Sequence, residues 1–303
     1  MKYQSEDGVS IEVKQVPKGR GHAYKVTVNP ADLEIVGPYT KELPSVTTIL
    51  RQADGSAVDP ISRWSVKQAL DHIDGAWESW EGYVSPLDFK VIKHGALSDA
   101  KKAPMIELKK AGDRGTALHK AMEMHFSKSL DIPLIVQHLQ DKGFDKSNID
   151  GFFYCISLIR DWINSLNYKV VATELPVYDK SLKVAGTIDM LLSDNKDTVY
   201  VCDLKTGKNI YKKDGMQVGA YISAVVNMLG DGLHLWSPFP EGLPVGDRIG
   251  SLQVGGAVIH MDVEKETVKI NHVSDDMISN IGFMSAKKLY DMNKTSKFEV
   301  QKL

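Results

Sequence analysis

The clearest hydrophobic pattern in the chain lies between Ser147 and Leu166, where Phe152, Ile156, Ile159 and Ile163 recur every three or four positions. That spacing predicts a helix with one apolar face. The period then shortens. Residues 168–178, a run from Val184 to Leu192, and Val199-Tyr200-Val201-Cys202 leading into Asp203 are rich in β-branched and aromatic residues and read as strands. Asp214 or Gly215 starts a helix to Leu229. Strands over 251–262 and 267–273 and a helix from Ser274 to about Met292 complete the pattern. From Ser147 onward the order is α-β-β-β-α-β.

The first half is read the same way. Residues 9–16 and 22–28 alternate like a hairpin around Pro17-Lys18-Gly19-Arg20-Gly21. Ser45 is the expected N-cap of a helix through Leu50, and Asp59-Pro60 opens another through Ile73. From Pro86 to Lys128 the chain reads as mostly helical, with interruptions expected near Pro104 and Gly112. This suggests an N-terminal hairpin and helical lobe over 1–111 and a core over 112–303, although no Gly/Ser/Pro linker marks the boundary.

Three charges interrupt the strand runs. Asp189 follows Gly186-Thr187-Ile188, and Asp203 and Lys205 stand in Asp203-Leu204-Lys205-Thr206-Gly207. A charge in such a setting costs several kcal/mol, of order 1–5, unless it is paired or binds a metal. The polar cluster Asp194-Asn195-Lys196-Asp197 predicts a hairpin turn centred near Asn195 or Lys196. Asp189 then falls opposite Asp203 or its neighbour, where Cβ atoms are about 4.5–5.5 Å apart and two carboxylates can share one cation. Alternation puts Val199, Val201, Asp203 and Lys205 on one face. The neighbouring strand carries a further acid, Glu174. A Lys205–aspartate salt bridge with no metal is the alternative, but it leaves the second buried acid unexplained.

The segment from about Gly112 to Lys128 is amphipathic, with Leu118, Ala121, Met122 and Phe126 at helical spacing. Gly115, His119 and Glu123 follow one another at four-residue intervals and form one row. An imidazole and a carboxylate one turn apart can serve one site, though such pairs are commonly plain surface contacts.

Composition limits the choices. Charged residues make up 25% and hydrophobic residues 43% of 303, as in ordinary globular proteins. A net charge of −2 means that any nucleic-acid surface must be local. Two cysteines, Cys155 and Cys202, suit a reducing compartment and cannot supply four thiolates to an iron–sulfur cluster. No apolar run is long enough for a bilayer and no secretory signal is evident, so a cytoplasmic protein is expected, in the host cytoplasm if phage-encoded.

The ordered set Gly115-x-x-x-His119-x-x-x-Glu123, Glu174, Gly186-x-x-Asp189, Asp203-x-Lys205-Thr206-Gly207 and Gln217-x-x-x-Tyr221 resembles the RecB-type branch of the PD-(D/E)XK nucleases. It is similar to phage-encoded exonucleases of that superfamily and to the mitochondrial genome-maintenance exonuclease, over roughly residues 112–225. The resemblance implies an α/β (α+β) restriction-endonuclease-like αβββαβ core, with a mixed central sheet flanked by helices. It implies a Mg²⁺- or Mn²⁺-dependent DNA exonuclease, with one or two ions, acting on a free DNA end in replication, recombination or processing. His119, Asp189, Asp203 and the Leu204 carbonyl would hold the metal, with Glu123 and Glu174 as additional or outer groups. Lys205 would orient or help deprotonate water, and Gln217 and Tyr221 would contact the phosphate backbone and brace the lysine. Lys208, Lys212, Lys213 and Arg114, with Lys109 and Lys110, could track a phosphate backbone, and Trp64, Trp77, Trp80 and Tyr83 could stack on bases. A structure-specific endonuclease and a non-catalytic nucleic-acid-binding module are the alternatives.

Overall fold

The computed structural model describes residues 2–4, 10–18, 21–29, 39–53, 58–78, 86–126, 131–194, 198–230, 253–274 and 281–295. Contacts divide the chain into two compact units: residues 1–53 with 118–303, and residues 54–117. The N-terminal strands thus fall in the same unit as the central sheet.

The larger unit is built on a five-stranded sheet of order β5-β6-β7-β8-β9. Its strands are β5 (Lys169–Asp179), β6 (Val184–Ser193), β7 (Thr198–Lys205), β8 (Gln253–Asp262) and β9 (Thr267–His272). Only β7 and β8 pair in parallel, so the sheet is mixed. α5 (Lys146–Ser165) precedes it and α6 (Lys212–Gly230) links β7 towards β8, which gives the αβββαβ order read from the sequence. Phe152, Ile156, Ile159 and Ile163 of α5 are all buried. Val199 and Val201 of β7 share a core with Val218, Tyr221, Ile222 and Val225 of α6.

A second sheet, β1 (Lys2–Gln4), β2 (Ser10–Lys18), β3 (Gly21–Asn29) and β4 (Tyr39–Pro44), is antiparallel throughout. The hairpin reading found β2 and β3 and passed over β1 and β4, which are short or polar. Ile11, Val13, Tyr24, Val26 and Leu43 point from this sheet into the same core as β5, β6 and α6. Ser45 then caps α1 (Val46–Ala53): its Oγ accepts from the Thr48 amide at 3.1 Å. α7 (Ile281–Thr295) adds Phe283, Ala286 and Tyr290 to that core.

α4 (Ile132–Asp141) had not been anticipated, yet its signals are plain in retrospect. Asp131 accepts from Leu134 N at 3.0 Å, and Ile135 and Leu139 are buried one turn apart. Gly143 ends the helix at φ +81, with Gly143 N donating to Gln140 O and Phe144 N to Leu139 O, a Schellman closure.

The smaller unit contains α2 (Val58–Glu78) and most of α3 (Pro86–Phe126). α3 is continuous, so the interruptions expected at Pro104 and Gly112 are absent. Proline removes one backbone donor, and here Ala, Lys, Met, Leu and Glu on both sides are strong helix formers that carry the helix through. Of the aromatic residues singled out above, Trp64 is half-buried on α2; the Trp77 side chain, Trp80 and Tyr83 lie outside the described residues.

Candidate active site

β6 and β7 pair through Ser193↔Val199 to Met190↔Cys202, so the same register carried one step further sets Asp189 against Asp203. The backbone ladder stops there and a side chain replaces it. Asp189 Oδ2 accepts from the Leu204 amide at 2.6 Å. That contact uses the Leu204 N–H, on the residue between Asp203 and Lys205. The turn residues 195–197 lie outside the described residues.

On the other side of β6, β5 is irregular. Its register shifts between Val170 and Ala172, and the pairs Thr173↔Met190 and Leu175↔Ile188 leave Glu174 and Asp189 unpaired in the backbone. Glu174 sits at φ +47, a left-handed conformation that is costly for a residue with a side chain. The irregularity groups three ligand types. His119 of α3, Glu174 and Asp189 each offer an atom within 4.8 Å of the others, and all three are half-buried. His119 Nδ1 lies 3.4 Å from Asp189 Oδ1.

Asp203 has a different environment. It is 1% exposed, and its Oδ1 accepts from Gln217 Nε2 at 2.7 Å. Lys205 Nζ forms a close ion pair with Asp203 Oδ2, an atom that has no directed hydrogen bond. The same ammonium donates to Gln217 Oε1 at 3.3 Å, and Gln217 Nε2 also reaches the Tyr221 hydroxyl at 3.1 Å. Gln217 and Tyr221 are one turn apart on α6, so this helix presents both to the end of β7. Gly186 makes room for the arrangement. A Cβ there would lie 2.3 Å from the Tyr221 ring, so the tyrosine can approach β6 only over a bare backbone.

The electrostatics follow the geometry. Burial and then the Asp189 charge push Glu174 up to about 7. Burial alone would lower the His119 pKa, but the Asp189 carboxylate outweighs it and the net shift is upward. Burial likewise works against the Lys205 ammonium, and Asp203 reverses that, so Lys205 titrates above an ordinary lysine. Burial also raises Asp203, with Lys205 opposing. These two elevations conflict if Asp203 is neutral. The rise at Lys205 needs an ionised partner, and the ion pair is the state consistent with their contact.

Other candidate residues lie less centrally. Glu123 is held by Lys120, Nζ to Oε2 at 2.6 Å. Lys208 and Lys212 are exposed and Lys213 is half-buried. Arg114 belongs to the smaller unit. Two contributors were not singled out from the sequence. Tyr24, fully buried on β3, hydrogen-bonds Thr187 Oγ1 at 2.8 Å, two residues before Asp189. His260 of β8 pairs in register with Lys205, and its Nε2 donates to the Gly207 carbonyl at 2.6 Å. The signal for His260 was available: a polar residue in the apolar run Gly256-Ala257-Val258-Ile259, the same anomaly that marks Asp203. For Tyr24 the alternation marked an inward position, but not its partner.

A family model for the PD-(D/E)XK nuclease superfamily matches residues 84–240, more than half of the chain. The chain belongs to the PD-(D/E)XK nuclease superfamily. It is thus a nuclease fold acting on nucleic acid, and members of this superfamily use divalent metal ions. No curated protein sequence matches the chain. Among solved structures it is similar to SSO0001, at 11% identity and a TM-score of 0.25, over 58% of this chain and 85% of that one. Among the described residues, no helix is long and apolar enough to cross a membrane.

His119, Glu174 and Asp189 fit a divalent cation by their chemistry. Two carboxylate oxygens and one imidazole nitrogen suit Mg²⁺ and suit Mn²⁺ at least as well. The crowding of Glu174 against Asp189 is the kind of repulsion that a cation relieves.

Proposed function

We propose that this protein is a Mg²⁺- or Mn²⁺-dependent DNA exonuclease of the RecB-type branch, acting on free ends in replication, recombination or DNA processing. One observation carries the hydrolytic reading. A cluster of hard ligands, His119, Glu174 and Asp189, is coupled through the Leu204 amide to the buried Asp203–Lys205–Gln217 network. The exonuclease reading is supported by the resemblance of the ordered motifs to those of phage-encoded exonucleases. A cytoplasmic location is supported by Cys155 and Cys202, both buried and free.

A bound cation supplies charge neutralisation at the phosphate and a more acidic water. His119, Glu174 and Asp189 would hold it, and the Leu204 amide fixes the orientation of the Asp189 carboxylate. Lys205 serves as a fixed positive charge. Its contact with Asp203 places it where it orients or helps deprotonate the attacking water and stabilises negative charge on the phosphate. Gln217 bridges Asp203 and Lys205 and holds their spacing, and Tyr221 supports Gln217 from below.

The test is digestion of end-labelled linear DNA in Mg²⁺ or Mn²⁺, with closed circular single strands as the control. Loss of label from linear DNA with intact circles is the expected result. Cutting of the circles would establish an endonuclease. Binding without turnover would leave a nucleic-acid-binding module. Cleavage by Lys205→Ala at the parental rate would remove the catalytic assignment.

A further inference from the structure

Beyond the end of β7, residues 206–211 lead to α6, and this connection has properties that the hydrolytic machinery does not use. Residues 208–213 contain three lysines, one tyrosine and no acid, in a chain whose net charge is −2. Tyr211 leaves 55% of its surface in solvent. Its backbone is nevertheless held from both sides: Tyr211 N donates to Asp214 Oδ2 at 2.7 Å, and Asp214 N donates to Tyr211 O at 2.9 Å. Lys213 Nζ stands 5.2 Å from the centre of the Tyr211 ring. An aromatic residue with an anchored backbone, an open surface and a cation against its ring is poorly explained by core packing.

The position of this turn matters. Lys213, Gln217 and Tyr221 succeed one another at intervals of four on α6, so Lys213 lies one turn outward from the residue that grips Lys205 and Asp203. Asp214, which anchors Tyr211, also acts electrostatically on Lys205. The turn is therefore the outer continuation of the proposed site.

We propose that Tyr211 is a stacking platform for an unpaired nucleobase next to the reacting phosphate, with Lys212 and Lys213 taking the flanking phosphates. Base faces inside a duplex are already covered by their neighbours, so a platform of this kind selects unpaired or frayed nucleotides. Stacking does not distinguish bases strongly, and the subsite is tolerant of sequence. This inference rests on the nuclease reading and names the form of substrate that the same site takes.

The experiment is fluorescence anisotropy in EDTA, which withholds the cation and stops cleavage, so binding is read apart from hydrolysis. The probes are a labelled strand of about twenty deoxyadenosines and a strand of the same length made of abasic sites. Tyr211→Ala is expected to weaken binding of the deoxyadenosine strand by between about fivefold and a hundredfold, leave the abasic strand unchanged, and be reversed by Tyr211→Trp. Lys212→Ala is expected to weaken both strands alike and to reduce the salt slope by about 0.7. Equal losses on both probes for Tyr211→Ala, or none on either, would overturn the platform. So would a parent that binds neither strand. A base-dependent loss for Tyr211→Ala, with a parent that digests nothing in Mg²⁺ or Mn²⁺, would overturn the nuclease reading and leave the platform standing. One that digests DNA with Tyr211→Ala binding unchanged would do the reverse.

Discussion

Asp189 and Asp203 occupy facing positions on one hairpin, yet their surroundings separate them completely. Asp189 keeps one oxygen on a backbone amide and turns the other towards His119, with Glu174 close by. Asp203 is sealed among Lys205, Gln217 and the α6 side of the core. The first carboxylate faces an imidazole and a second acid. The second carboxylate is paired with the Lys205 ammonium. Two identical side chains in one register thus meet different surroundings: β5 brings an acid close to Asp189, and α6 brings the Gln217 amide, braced by Tyr221, to Asp203.

The largest effects should come from breaking the paired half. Lys205→Ala is expected to lower the cleavage rate by about 10²–10⁴-fold, as measured by single-turnover digestion. It also leaves Asp203 buried without its counter-charge, and urea denaturation should show a loss of about 3 kcal/mol, at the low end for a buried pair because Lys205 is 25% exposed. Asp189→Asn should show the opposite balance, with a much higher cation requirement and a small change in unfolding. Equal behaviour of the two variants would erase the distinction drawn here.

The ligand half should respond to pH. Glu174 is raised to about 7 and His119 is also raised, so both hold protons below neutrality that a cation must displace. The half-saturating Mg²⁺ concentration should fall as pH rises from about 6 to 8, by up to about tenfold per unit for each proton displaced. Without metal the sign is reversed for folding. Groups whose folded pKa is raised bind protons more tightly when folded, so their contribution is present at low pH and is lost as pH rises through the folded value. Melting in EDTA should therefore decline from about pH 6 to 8, and Mg²⁺ should flatten the decline. Glu174→Gln should lessen both trends, and an unchanged pH profile in that variant would remove Glu174 from the ligand set.

Smaller effects test the supports. Gly186→Ala places a methyl group against the Tyr221 ring, and a loss of about 1–3 kcal/mol is expected from calorimetry, with cleavage falling because Gln217 loses its brace. His260→Leu should reduce cleavage several-fold by releasing the Gly207 carbonyl, and His260→Gln, which restores a donor, should recover part of it.

Much of this was legible from the chain. Charges within apolar β-branched runs marked Asp189, Asp203 and Lys205, because burial makes an unpaired charge intolerable there, and helical spacing put Gln217 beside Tyr221. The different surroundings of the two aspartates were not legible. They depend on a backbone irregularity in β5, and neither the register shift near Val171 nor the left-handed Glu174 has a signature in residue type. The unbroken α3 was hidden for a related reason. A proline argues locally against a helix, while continuity depends on the summed preference of its neighbours. Tyr24 was beyond reach because its partner, Thr187, lies 163 residues away.

The left-handed Glu174 sets a trap for anyone seeking a sturdier variant. Asparagine or glycine would sit more comfortably at φ +47 and would remove an acid that is crowded by its neighbour. A screen scored on heat tolerance alone would favour those replacements and would collect proteins that survive warming with one candidate ligand missing.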